Sequence, residues 1–265
     1  MQVYRGMDIG TAKPTAIERA EFAHHGLDLA GPWEDVTVVR FKTEIEHALG
    51  HIDGRGHRAL LVAGTGLYLR AIVDDLTPPG EYPDQRRALD ADDATIDDLY
   101  RRLVALDPAA AAKIDPANRR RIARALEVTL GSGHPFSSFG PGLDAYPPSD
   151  VVQVGLRWPR PRLAARAEER FGRMMADGLL NEVRRLAAAP GGLSRTAGQA
   201  LGYKELLDHL AGRMTVADAV ALAVTRTRQF AVRQERWFRR DPRVRWVDVT
   251  DDPLEALPAV LDALR

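Results

Sequence analysis

Nowhere are the folding options of this chain narrower than between Arg58 and Gly66. Arg-Ala-Leu-Leu-Val-Ala, residues 58 to 63, is a short unbroken apolar run with Gly64, Thr65 and Gly66 directly behind it. It is too short for a helix of its own and reads as a strand buried on both faces, which a parallel sheet covered by helices provides. The stretch before it, Val39 to Gly54, places Phe41, Ile45, Ala48, Leu49 and Ile52 at helical spacing and stops at Gly54 and Gly56. A helix feeding a buried strand implies βαβ winding and an α/β class. Gly64-Thr65-Gly66 then falls at the carboxyl end of that strand and opens a helix from Leu67 to Val73. Ligands of open α/β sheets gather at such strand ends, where a helix N-terminus offers free N–H groups to an anion.

The chain opens with Gln2 to Pro14, QVYRGMDIGTAKP. Gln2-Val3-Tyr4 reads as the end of a strand. Gly6 and Gly10 turn it into a loop that can approach a ligand closely, with Asp8, Thr11 and Lys13 supplying an acceptor, a hydroxyl and a cation in one turn. A plain strand-to-helix connection has the same composition. Thr15 to Ala23 follows as a short helix. The His24-His25 pair lacks a third ligand at suitable spacing, so no metal site is expected there.

A chain of 265 residues with 45% hydrophobic and 28% charged content can bury a sizeable core, in one large domain or two. The absence of cysteine excludes disulfides, thiolate zinc sites and cysteine nucleophiles. No apolar run approaches the roughly 20 residues of a membrane span, and no targeting pattern precedes the first motif, so a cytosolic protein is expected. A formal charge of zero excludes a uniformly basic nucleic-acid binder but hides local clusters. Only Lys13, Lys42, Lys113 and Lys204 are lysines. The other cations are arginines, whose forks suit phosphate and base stacking, although genomic base composition explains the bias equally well.

Thr77 to Pro83, TPPGEYP, reads as a linker into a polar helical stretch whose acidic run, Asp90 to Asp98, is a solvated face. In DPAAAAKIDPANRRRIARALEV, the positions Ile122, Ala125, Leu126 and Val128 form the apolar side of an amphipathic helix. Arg120, Arg121 and Arg124 lie within about a turn of one another, which suits a phosphate track or a merely exposed basic face. Glu127 is expected to be structural. After a loop from Pro141 to Ser149, Val151 to Leu156 is a returning strand. Arg162 to Ala188 reads as core-packing helix interrupted at Gly178. On the helix Val216 to Arg240, the residues Arg226, Phe230, Arg233, Trp237 and Arg240 recur at spacings of 4, 3, 4 and 3, aligning cations and aromatics on one stripe. Such a stripe suits stacking and phosphate contact with looped RNA, or aromatic anchors covered by arginine stems. Arg243 to Val249 is expected to be a strand and Pro253 to Leu264 a closing helix. Residues 1–82 and 146–265 are expected to form the α/β core and residues 83–145 a helical insertion.

Five runs, QVYRGMDIGTAKP, AGTGLYLRA, NRRRIARALEV, RFGRMMADGLLNEVRRL and TRQFAVRQERWFRRD, resemble in order the blocks of tRNA dimethylallyltransferases. The resemblance implies a P-loop-NTPase-like parallel sheet flanked by helices, with a helical insertion domain. It also implies transfer of a dimethylallyl group from dimethylallyl diphosphate to N6 of adenosine-37 beside the tRNA anticodon, the base leaving its stack to react. The implied partner is the anticodon stem-loop, the implied cofactor Mg²⁺, and the implied state a cytoplasmic monomer. By resemblance Thr65 helps hold the catalytic carboxylate and meets the adenine end of the tRNA. Gln2, Asp8, Lys13, Arg86, Arg120, Arg121, Arg124, Thr227, Arg228, Gln229 and Arg233 are carried over as tRNA contacts. Gln199 stands where some members bind diphosphate through arginine, and Ala63 replaces the first glycine of the family's GGTG.

No G-x-x-x-x-G-K-[ST] occurs in the sequence. In the family that phosphate loop and the catalytic aspartate precede the opening motif. An N-terminally truncated chain is therefore expected, lacking the first strand and the P-loop. As written it should be inactive, because leaving-group stabilisation and the base are each worth several kcal/mol of barrier. It should also expose sheet edge and aggregate. A non-catalytic tRNA-binding module is the alternative function, and a small-molecule kinase of similar winding a third.

Overall fold

The computed structural model describes residues 1–76, 78–140 and 142–264. Thr77 and Pro141, with which the two expected connecting loops begin, lie outside the described residues. The chain divides into two units, Met1–Ile72 with Ser149–Arg265, and Val73–Pro148.

In chain order, α1 is Ala16–Glu21, α2 Val38–Asp53 and α3 Gly66–Val73. There follow α4 (Pro83–Ala91), α5 (Ile96–Leu106), α6 (Pro108–Ala111) and α7 (Arg119–Ser132). Strand β1 (Gln153–Arg157) leads into α8 (Arg160–Ala176), α9 (Leu179–Ala188), α10 (Tyr203–Leu210) and α11 (Val216–Phe238). Strand β2 (Val244–Asp248) and α12 (Leu257–Ala263) close the chain. Helix starts are set locally: Thr37, Thr95, Asn118 and Thr215 each accept an N–H of the first turn with the side chain, satisfying donors that would otherwise be orphaned. Gly178, at φ 100°, divides α8 from α9, a backbone conformation costly for any residue with a Cβ.

The first unit packs α8, α9, α10 and α11 around Tyr4 and Met7 of the opening loop, with Leu179, Val183, Tyr203 and Leu206 buried among them. Full burial of Leu179 or Leu206 contributes about 2 kcal/mol each. In the second unit Leu99 and Leu103 of α5 meet Ile122, Ala125 and Leu126 of α7, and Leu89 of α4 closes the cluster. Asp107 caps α6 through the Ala110 N–H at 3.0 Å and takes both donors of Ser137 at 2.7 Å.

Parallel pairing is present on a small scale. Strands β1 and β2 run parallel from Gln153 opposite Val244 to Arg157 opposite Asp248, and a single parallel bridge joins Tyr4 to Ala30. The expected strand at Gln2 to Tyr4 is reduced to that bridge. The apolar run at residues 58 to 63 is not a strand: no ladder reaches it among the described residues, and Leu60 and Val62 are 76% and 87% exposed. A strand is held by cross-strand partners, and among the described residues β1 and β2 pair only with each other, so local composition there has no neighbour to act on. No helix among the described residues is long and apolar enough to cross a membrane.

Candidate nucleic-acid interface

The opening loop is folded by buried polar groups. Glu182 of α9 turns its carboxylate into the loop and accepts the N–H groups of Asp8 at 3.0 Å, Ile9 at 2.9 Å and Gly10 at 3.3 Å. Tyr203 of α10 donates its hydroxyl to the same carboxylate at 2.5 Å. Burial, and then that bond to a carboxylate, raise the Tyr203 phenol far above its ordinary range, so it remains a donor. A Cβ on Gly10 would lie 2.5 Å from the Tyr203 ring, which is why the loop can sit this close only with glycine there. The Gln2 side chain ties the loop shut by donating to the carbonyls of Thr11 at 3.0 Å and Ala12 at 2.9 Å.

Lys13, expected on the RNA, points inward. Its ammonium donates to the Tyr4 carbonyl at 2.7 Å, Asp8 at 2.6 Å and Asp28 at 2.7 Å, which uses all three of its protons, and its side chain is 1% exposed. Asp8 remains half open beside it. Burial pushes the Asp28 carboxyl up, but hydrogen bonds from Lys13 and Arg19 outweigh that and hold it below the usual carboxylate range.

Thr65 is exposed immediately before α3, with its carbonyl accepting the Leu69 N–H at 3.1 Å. The Gly64 carbonyl accepts the Gln234 amide of α11 at 2.6 Å, and a Cβ on Gly66 would fall 1.8 Å from the Trp237 indole nitrogen. Trp237 is thus an anchor between α11 and the Gly64-Thr65-Gly66 turn.

The remaining stripe of α11 splits by partner. Arg226 turns inward to Glu205 of α10, a carboxylate 1% exposed that also accepts the Gly202 N–H at 2.8 Å. The Thr227 hydroxyl donates to the Ala223 carbonyl at 2.8 Å, and Arg228 pairs with Glu168 of α8 at 2.7 Å. Gln229 is exposed, and so is Arg233, whose guanidinium stands 5.9 Å from the Phe230 ring centroid. The stripe is therefore not one uniform RNA-facing row. Gln199 is exposed in the short turn Ala197–Gln199 before α10.

In the second unit the α7 arginines also separate. The Arg120 and Arg121 side chains are exposed, with no ion-pair partner among the described residues. Arg124, grouped with them by spacing, instead grips Glu127 and donates to the carbonyls of Pro79 at 2.9 Å and Gly80 at 3.1 Å. Glu127 is 5% exposed and accepts the Tyr82 N–H at 3.1 Å, and Arg86 reaches it at 4.0 Å while bonding Asp90 at 2.9 Å. A buried carboxylate needs these donors, so Arg124 is held by its own unit first.

Sequence reasoning read α9 as core packing and missed Glu182, Tyr203 and Glu205. A signal was present: Glu182 falls on the same helical face as the buried Leu179, Val183 and Leu186, where a carboxylate must find donors.

Known proteins agree with these motifs. The family model described as IPP transferase matches residues 2–241. The tRNA dimethylallyltransferase of Kineococcus radiotolerans is 47% identical, covering 100% of this chain and 84% of its own length, and that of Geobacter metallireducens is 42% identical over 94% of this chain and 82% of its own. The crystal structure of a tRNA isopentenylpyrophosphate transferase from Bacillus halodurans is 34% identical with a TM-score of 0.68, covering 99% of this chain and 85% of its own. A eukaryotic dimethylallyltransferase seen in crystals acting on tRNA is 27% identical with a TM-score of 0.79, covering 99% and 69%. A family match along almost the whole chain, together with relatives of this identity and coverage, means that the chain belongs to the tRNA dimethylallyltransferase (IPP transferase) family.

Proposed function

We propose that this protein prenylates tRNA, moving a dimethylallyl group from dimethylallyl diphosphate to N6 of the adenosine at position 37, beside the anticodon. In that step the allylic carbon–oxygen bond to diphosphate breaks, a bond from N6 to the same carbon forms, and the displaced N6 proton passes to a base. The observation that carries the reading is the 47% identity, along the full chain, to a protein named tRNA dimethylallyltransferase.

The chain's own residues support the RNA side of this reaction. Arg120 and Arg121 on α7 are open cations suited to phosphate, and Arg233 with Gln229 on α11 offers a guanidinium and an amide to RNA. Gln2 shapes the opening loop, and Thr65, open to solvent before α3, is assigned to the adenine. Lys13, Arg124 and Arg226 are assigned to holding the scaffold. Arg86, Thr227 and Arg228 are assigned to the margin of the RNA surface, and Gln199 to the diphosphate side. We place the protein in the cytoplasm with its tRNA, as a monomer. Mg²⁺ belongs to the reading by family alone: among the described residues no three histidine, aspartate or glutamate side chains gather to hold an ion, and Asp8, Asp28 and Glu182 are committed to Lys13 and to backbone N–H groups.

A second reading is RNA binding without transfer, which the open cations Arg120, Arg121 and Arg233 support by themselves. One experiment separates the two. The polypeptide is incubated with an anticodon stem-loop RNA, dimethylallyl diphosphate and Mg²⁺, and the RNA is weighed by mass spectrometry. An adenosine heavier by one dimethylallyl group supports transfer, and bound but unmodified RNA supports the second reading. Neither binding nor product would sink both.

A further inference from the structure

A line of polar groups, buried at Glu182, Tyr203 and Glu205, connects the opening loop to α11. Glu182, 5% exposed on the apolar face of α9, accepts three consecutive loop N–H groups and the Tyr203 hydroxyl. Tyr203 is 0% exposed, and its ring lies against Gly10. Two residues further along α10, Glu205 is 1% exposed and holds Arg226 of α11. A single short helix thus grips the loop through one buried carboxylate and α11 through another.

Burying a carboxylate costs several kcal/mol unless donors replace its water, and apolar residues fill such positions at least as well for stability alone. What Glu182 supplies that leucine would not is a fixed backbone path for Asp8, Ile9 and Gly10. We infer that Glu182 and Glu205, with Tyr203 between them, are positioning residues that lock the opening loop and α11 into one arrangement before RNA arrives. This rests on the proposed tRNA-binding role. A loop already ordered pays no ordering entropy on binding, so its side chains and those of α11 meet the RNA together.

The test pairs hydrogen exchange at the amides of Asp8, Ile9 and Gly10 with the affinity for a fluorescein-labelled anticodon stem-loop. It compares the natural protein with Glu182→Gln, Tyr203→Phe and Glu205→Gln. In Glu182→Gln an amide N–H₂ faces donors it cannot accept, so exchange at the three amides is expected to rise about tenfold or more and the RNA Kd about tenfold. The salt dependence of binding should stay unchanged, because no phosphate contact is removed. Adding Gln2→Ala to Glu182→Gln should weaken binding less than Gln2→Ala does alone, since both act through one loop. Tyr203→Phe, which keeps the carboxylate, should show a smaller loss of the same kind.

A folded Glu182→Gln protein with unchanged loop exchange, or with raised exchange and unchanged RNA affinity, overturns the inference. Should Glu182→Gln not fold, Tyr203→Phe decides: unaltered exchange and affinity there overturn it equally. If the natural protein binds no RNA, the proposed function fails, while the exchange data still judge whether these carboxylates order the loop.

Discussion

Replacing Lys13 with methionine tests whether this cation serves the fold or the RNA. Methionine matches the buried stem in length and removes only the ammonium, which is bonded to the Tyr4 carbonyl, Asp8 and Asp28 within 2.7 Å. Removing one partner of a buried ion pair costs about 3–5 kcal/mol. Here the abandoned carboxylates are 55% and 31% exposed and regain water, so the expected loss is smaller, about 2–3 kcal/mol. For a unit of this size that lowers Tm by about 5–10 °C. The second measurement is RNA affinity across a salt series. A lysine on a phosphate would take about one unit from the slope of log K against log salt when removed, whereas an internal lysine leaves the slope as it was. The expected pair of results is therefore a lower Tm and an unchanged slope, read by circular dichroism and fluorescence anisotropy. An unchanged Tm with a slope reduced by about one would refute the reasoning and return Lys13 to the RNA surface.

The α7 arginines should separate in the same two assays. Arg120→Ala and Arg121→Ala should each reduce the salt slope by about one with little change in melting, while Arg124→Ala, by orphaning the buried Glu127, should cost about 2–3 kcal/mol. A stable Arg124→Ala protein would show that Glu127 finds its donors elsewhere. Acid should also destabilise the protein in a defined window. At Asp28, Asp107 and Asp241 burial raises the carboxyl pKa, but hydrogen bonds from Lys13 and Arg19, from Ser137 and from Arg243 respectively outweigh it, leaving each below its ordinary value. A carboxyl with a depressed folded pKa lends stability above its unfolded value, about 3.9, and loses it as pH falls through the folded one. Urea titrations at a series of pH values should show falling stability below about pH 4, and between about pH 5 and 8, where the contribution of these three groups is fully present, no pH dependence from them. Stability that rises on acidification would contradict the assignment.

Helix positions were legible because their causes are local. The 3.6-residue spacing around Ile45 and the glycine at 178 act within a few residues of themselves, and α2, α7, α8, α9 and α11 lie close to where such spacing and breaks put them. Residues 58 to 63 show the limit of such reading. Their composition suits a buried strand, but a strand exists through a partner distant in sequence, and among the described residues none is there.

Linear motifs were enough to identify the family and to nominate a set of polar residues, since order and spacing are properties of the string itself. Which of those charges are held by the protein itself is decided in three dimensions. Lys13, Arg124 and Arg226 have the same composition signal as Arg120, Arg121 and Arg233, yet the first three are bound to internal oxygens and the others open to solvent. The group that shapes the opening loop, Glu182, comes from a helix more than 170 positions away. Coulombic and hydrogen-bonding partners are chosen by distance in space, and no local pattern of residue types carries that information.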